Sequence, residues 1–167
     1  MSLPLSVLMV ALWTPLLWAG QPEEIAPAEV SGTRTLVGTK IIGTAAPSDY
    51  PSFSAAISAL NSEGVGPGGV TFLVQDGTYH ENPPAITACG TAEDPITFQA
   101  QPGAEPVLAP DGDSANYGFK LDGADYVRFD NIDINCLSTL PRAYVLENGA
   151  QHVTICNCHI YWPYAAS

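Results

Sequence analysis

Two pairs of segments in this chain recur at one interval, and that interval restricts the folds open to it. "VTFLVQDG" from Val70 and "ITFQAQPG" from Ile96 share Thr, Phe, Gln and Gly at equivalent positions and start 26 residues apart. "GADYVRFDNIDINC" from Gly123 and "GAQHVTICNCHIYW" from Gly149 share Gly, Ala, Val, Asn and Ile, again 26 apart. A unit this short, made of several strand-like runs with no helical period, cannot bury its own apolar side and has to stack on its neighbours. The repeat therefore predicts an all-β coil that winds on itself.

Aligning the second pair predicts which side chains share a core. Val127, Phe129, Ile132 and Ile134 lie beneath Val153, Ile155, Cys158 and Ile160, with Asn131 beneath Asn157. The inward alternation breaks between Phe129 and Ile132, and again between Ile155 and Cys158, which marks a bend between consecutive strands. Asparagine suits such a bend because it tolerates positive φ and its amide can bond an identical amide one coil away. "CNCH" then reads as a bend followed by a core thiol at Cys158 rather than as zinc ligands, with Cys156 and His159 facing outward. A Cys156–Cys158 disulfide would require approach across the bend, and the spacing of Cys89, Cys136, Cys156 and Cys158 does not decide their pairing.

Residues 1–20 are apolar from Leu3 to Leu17 and read as a signal peptide, although no Lys or Arg precedes the run. Pro4, Pro15 and the short length speak against the alternative, an uncleaved membrane anchor. Residues 21–32 read as a linker and residues 33–167 as the folded part, so the protein is expected to be secreted or held at a cell surface. "SDYPSFSAAISALNSEG" predicts one helix with Phe53, Ile57 and Leu60 on one face, capped by Ser52 or Asp49 and ended by Gly64. The 17 acidic and 5 basic residues give a formal charge of -12, which repels nucleic-acid backbones and excludes them as partners.

"DYPSFSAAISALNSEGV", "VTFLVQDGTYHEN", "GTAEDPITFQAQPGAEPVL" and the coils bearing Asn131 and Asn157 resemble the N-terminal portion of secreted right-handed parallel β-helix proteins of the pectin-lyase-like fold. The resemblance implies a solenoid whose short N-terminal α-helix caps one end and hides open strand edges. Within that superfamily "DGTYHEN" is similar to the opening of pectin esterases and "GTAEDPITFQA" to that of alginate and chondroitin lyases, whose catalytic residues usually lie on later coils. The pattern runs to Trp162 with no second cap. The expectation is a solenoid incomplete at its C-terminal end, with missing downstream coils or another chain covering it.

The residues offer few catalytic ingredients. A lyase of this kind needs a basic side chain beside acid-bound calcium, and Arg128, Asp130 and Asp133 are the candidates, though a solvated acidic face explains them equally. Asp111 and Asp113 open a glycine-containing loop that calcium could join, but Ala115 stands where a ligand is expected and a plain turn suffices. Calcium is the one cofactor these residues suggest, and it would also be needed to bridge an anionic polysaccharide. Tyr126, Tyr161 and Tyr164 are expected near one outer face, as platforms for sugar rings. The function expected is thus an exported module that binds polysaccharide or builds a surface layer without complete catalytic machinery. The alternative is the N-terminal part of a polysaccharide lyase or pectin-esterase-like enzyme.

Overall fold

A period-two alternation of apolar and polar side chains builds most of this structure, because each strand turns one face to a shared core. The computed structural model describes residues 35–111, 117–136 and 142–162. In chain order the elements are β1 (Leu36–Ile42), α1 (Phe53–Glu63), β2 (Val65–Val74), β3 (Thr78–Tyr79), β4 (Ile96–Ala100) and β5 (Val107–Leu108). β6 (Phe119–Asp122), β7 (Val127–Asp130), β8 (Asp133–Asn135), β9 (Tyr144–Glu147), β10 (Thr154–Cys156) and β11 (Ile160–Tyr161) follow. The expected signal peptide and linker lie outside the described residues. Among the described residues no helix is long and apolar enough to cross a membrane.

The strands form three sheets, ordered β1-β2-β4-β7-β10, β11-β8-β5-β3 and β6-β9, and the strand pairs are parallel throughout. The described chain is therefore mostly strand, in parallel sheets, with one helix. Both intervals seen in the sequence are strand registers: Phe72 lies beside Phe98, and Phe129 beside Ile155. These two pairs belong to one sheet, joined by a longer step that no repeated motif announces, since Ile96 pairs with Val127, 31 residues on. In the second sheet Val107 pairs with Asp133 and Ile134 with Ile160, each 26 apart. All four cysteines are free thiols.

Register puts like side chains in contact. Phe72, Phe98 and Phe129 are fully enclosed, and their rings stack with centroids 4.8 and 5.3 Å apart, tilted by 14° and 10°. Phe119 leans on Phe129 at 4.7 Å, and Phe53 of α1 meets Phe119 edge-on at 5.2 Å. Each such pair contributes about 0.5–1.5 kcal/mol beyond the area it buries. Val127, Ile132 and Ile134 are buried as expected, and Val153 and Cys158 pack against the same core. Ile155 and Ile160 continue the inward rows but are exposed, because β10 and β11 are the last strands of their sheets.

The helix begins and ends on local chemistry. Ser52 Oγ accepts from Ala55 N, and the Glu81 carboxylate accepts from Phe53 N and Ser54 N, both at 2.8 Å, so first-turn donors that have no helical partner are satisfied. Gly64 ends it at φ 71, donating to Leu60 O. Edge cover, expected from the helix alone, is divided. Ile41 N donates to Asp49 Oδ2 at 2.7 Å and Tyr50 N donates to Ile41 O, which covers the outer edge of β1 at Ile41 without the helix. α1 instead closes the segment around Ile86: the Asn61 amide accepts from Thr87 N and donates to Ala85 O, while Ile86 bridges to Leu121 on its other side.

Asn131 and Asn157 both sit at φ 55, the left-handed geometry expected of the bend. The expected amide-to-amide contact between them does not form. Asn157 Nδ2 donates to Asp130 Oδ1 at 2.8 Å and Asn131 Nδ2 to Ala104 O, because an ionised carboxylate accepts more strongly than a neutral amide oxygen.

Removing the middle ring of the column should be costly. Phe98→Ala is expected to lower the unfolding free energy by about 3–5 kcal/mol, read from the midpoint of urea denaturation at unchanged slope. Asn61→Ala should cost about 1–3 kcal/mol by stranding the backbone groups it covers.

Candidate functional site

Two clefts open on outer faces of the sheets, one across β4, β7 and β10 and one beside β8 and β11. Alternation creates the second: Ile134 points inward, so Asp133 of β8 points out, and Ile160 likewise leaves His159 and Tyr161 outside. Asp133 then becomes an organising acceptor. Its Oδ1 takes the His159 backbone N–H at 2.8 Å and lies 3.2 Å from His159 Nδ1, while Tyr161 donates its hydroxyl to Oδ2 at 3.1 Å. With Glu105 and Asn131 these residues line a cleft of about 120 Å³.

The electrostatics of this cleft are one-sided. The hydrogen bond to Asp133, and then its charge, hold the Tyr161 phenol above its ordinary pKa, so the hydroxyl stays protonated and a donor at neutral pH. Two carboxylates and an amide supply acceptors, the Tyr161 hydroxyl hydrogen and His159 Nδ1 are turned to Asp133, and the half-exposed Tyr161 ring supplies an apolar surface. Neutral hydroxyl-rich molecules match that combination. Carboxylated or sulfated ones meet repulsion.

The first cleft crosses β4, β7 and β10. Thr71, Thr97, Arg128 and Thr154 form one outward row over four neighbouring strands. Beside it, Tyr126 at φ 52 and His152 at φ 51 stack their rings 4.2 Å apart at 9°. Left-handed backbone costs a bulky residue about 1–2 kcal/mol, so something must hold these two in place. Asp125 does so: its Oδ1 accepts from Tyr126 N at 2.9 Å and lies 2.8 Å from His152 Nδ1, and its Oδ2 accepts from Gln151. Burial pushes the Asp125 carboxyl upward, but the bonds from His152, the Tyr126 backbone and Gln151 outweigh it and leave its pKa lowered.

The residues named from sequence fall into different settings. Arg128 faces outward as expected and pairs with Asp130 at 2.8 Å. This pairing, chiefly the hydrogen bond itself, raises the Arg128 pKa, which makes the guanidinium a fixed donor and a poor base. Asp130 and Asp133 do not act together: Asp130 serves Arg128 and Asn157, whereas Asp133 serves His159 and Tyr161. Tyr126 and Tyr161, expected on one face, line separate clefts, because the bend at Asn131 turns the chain between them; Tyr164 lies outside the described residues. Asp111 is exposed and Asp113 lies outside the described residues, among which no three His, Cys, Asp or Glu side chains converge as a metal site.

Three contributors escaped the sequence reading: Glu105, Asp125 and His152. The alignment of "GADYV" over "GAQHV" already held the signal for two of them, since it places Tyr126 under His152 and Asp125 under Gln151. Glu105 enters from a neighbouring strand connection that carries no motif. No protein-family model, curated protein or solved structure matches the chain.

The Asp130 carboxyl is held below its ordinary pKa of 3.8, first by the Arg128 hydrogen bond and then by that of Asn157. A depressed folded-state value adds stability that is present above 3.8 and lost as pH falls through the lowered value. Urea midpoints measured against pH should therefore decline on the acid side, and Arg128→Met should reduce stability at neutral pH while flattening that acid-side decline.

Proposed function

We propose that this chain is an exported module that binds neutral polysaccharide, built as a right-handed parallel β-helix of the pectin-lyase-like kind. The parallel registers of 26 residues, the single buried cluster and the capped helix support the fold. The apolar run from Leu3 to Leu17 supports export, to the medium or the cell surface.

One observation carries the ligand class: the cleft in which Asp133 aligns His159 and the Tyr161 ring beside Glu105 and Asn131. It pairs hydroxyl acceptors with an aromatic surface and contains no fixed cation. The formal charge of -12 acts in the same direction, disfavouring uronate and sulfate polymers. A polymer is favoured over a single sugar by the outward row Thr71, Thr97, Arg128 and Thr154, which runs across strands about 4.8 Å apart and offers three hydroxyls and one guanidinium along a line. The lyase reading is disfavoured because Arg128 is committed to Asp130 and the acids that would hold calcium are separated.

The test is affinity electrophoresis of the full chain through gels containing xylan, a neutral β-glucan, pectate or alginate, the last two with and without calcium. Retardation by a neutral polymer is expected, with Tyr161→Ala weakening it by about 10-fold or more and Arg128→Ala by less. Passage through every gel without retardation would defeat the proposal. So would unsaturated product, seen by its absorbance and abolished in Arg128→Ala, which would make the protein a lyase.

A further inference from the structure

The cleft across β4, β7 and β10 differs in chemistry from the Asp133 cleft, although both open on outward faces. In a chain with 17 acidic and 5 basic residues, its lining holds Arg128 and His152 and no carboxylate. Thr97, Arg128 and Thr154 occupy paired positions on three neighbouring strands, and two residues before each of them in the chain stand Pro95, Tyr126 and His152, which line the same cleft. From this we infer that the cleft seats an acetyl substituent of a neutral polysaccharide, with its carbonyl toward Thr97, Arg128 and Thr154 and its methyl against Pro95 and the Tyr126 ring.

Three features select that group. Free donors come first. Among the described residues, Arg128 spends only Nη2 on Asp130, at 2.8 Å, and no side chain takes up the Thr97 or Thr154 hydroxyl. A carbonyl oxygen needs donors alone, whereas an enclosed sugar hydroxyl also needs an acceptor for its hydrogen. Charge is the second. Arg128 is matched by Asp130 and His152 by Asp125, so a carboxylate or sulfate gains little here against a total of -12. Size is the third. The cleft holds about 210 Å³, below the range of about 300–1,000 Å³ typical of sites that enclose a whole small ligand. It fits a substituent on a chain that lies outside it.

The Tyr126–His152 stack, 4.2 Å between ring centres and held by Asp125, gives the cleft a wall that stands before any ligand arrives. A preformed wall lowers the ordering cost of binding. The inference rests on the neutral-polysaccharide reading and adds a substitution pattern to it. O-acetyl esters and N-acetyl amides share the chemistry the cleft recognises.

Affinity electrophoresis of the full chain through gels of acetylated glucomannan, and of the same polymer deacetylated by mild alkali, tests it. The acetylated form should bind about 5- to 10-fold more tightly, the effect of one or two net hydrogen bonds. Thr97→Val combined with Thr154→Val should abolish that preference and leave binding of the deacetylated polymer unchanged. Tyr161→Ala should weaken both polymers alike. Amide chemical shifts of the unaltered chain give a reading that does not depend on a variant folding. Those around Thr97, Arg128 and Thr154 should move further with O-acetylated mannotriose or with the trimer of N-acetylglucosamine than with plain mannotriose, and the stronger of the two responses tells ester from amide. Equal retardation by the two polymers, a preference that survives the double substitution, or shifts no larger with either acetylated trimer would each overturn the inference and leave the broader reading standing. Passage through both gels without retardation would also overturn it, and the broader reading falls with it only if xylan and β-glucan fail as well.

Discussion

The stack of Phe72, Phe98 and Phe129 is the contact on which the rest of this structure depends. Three parallel rings about 5 Å apart match the spacing of neighbouring strands, so ring stacking and backbone pairing are satisfied by the same register. A slip by one residue would turn all three rings to solvent and bring Leu73, Gln99 and Asp130 into the core. The penalty for burying an aspartate without a partner makes that alternative untenable. Once the column is set, the outward row from Thr71 to Thr154 and the aligned carboxylates follow from pleating alone.

Parallel pairing also explains how an acidic protein distributes its charge. Asp122, Asp125, Asp130 and Asp133 each find a partner about one strand further along: Asn148, His152, Asn157 and His159. The donors are amides and imidazoles more often than lysine or arginine, of which the chain has only five. A carboxylate held in this way keeps its acceptor lone pairs oriented outward, and such a surface offers hydrogen bonds to hydroxyls while repelling anions. The same bonds tie each strand to the next. Site and scaffold are therefore built from one set of contacts.

Helix α1 and the Asp49–Tyr50 segment each cover part of a strand edge. Both use side-chain and loop groups to occupy backbone that would otherwise pair with another strand. At β9, β10 and β11 no comparable group from the described residues intervenes. The contrast is between edges covered at Ile41 and around Ile86 and strands whose core-row residues Leu146, Ile155 and Ile160 are exposed.

Sequence alone determined the repeat interval, the helix face of Phe53, Ile57 and Leu60, the inward rows and the left-handed bend at Asn131 and Asn157, because these depend on local alternation and on one residue's backbone preference. It also indicated that Arg128 faces outward. Only the tertiary structure decided that the two repeated pairs share a sheet across a 31-residue step, since nothing in that step repeats. It alone separated Asp130 from Asp133, and directed the bend amides to a carboxylate and a carbonyl instead of to each other. It alone brought Glu105 beside Tyr161. Those outcomes are set by which groups from distant segments come within hydrogen-bonding reach, a three-dimensional competition that spacing along the chain does not encode.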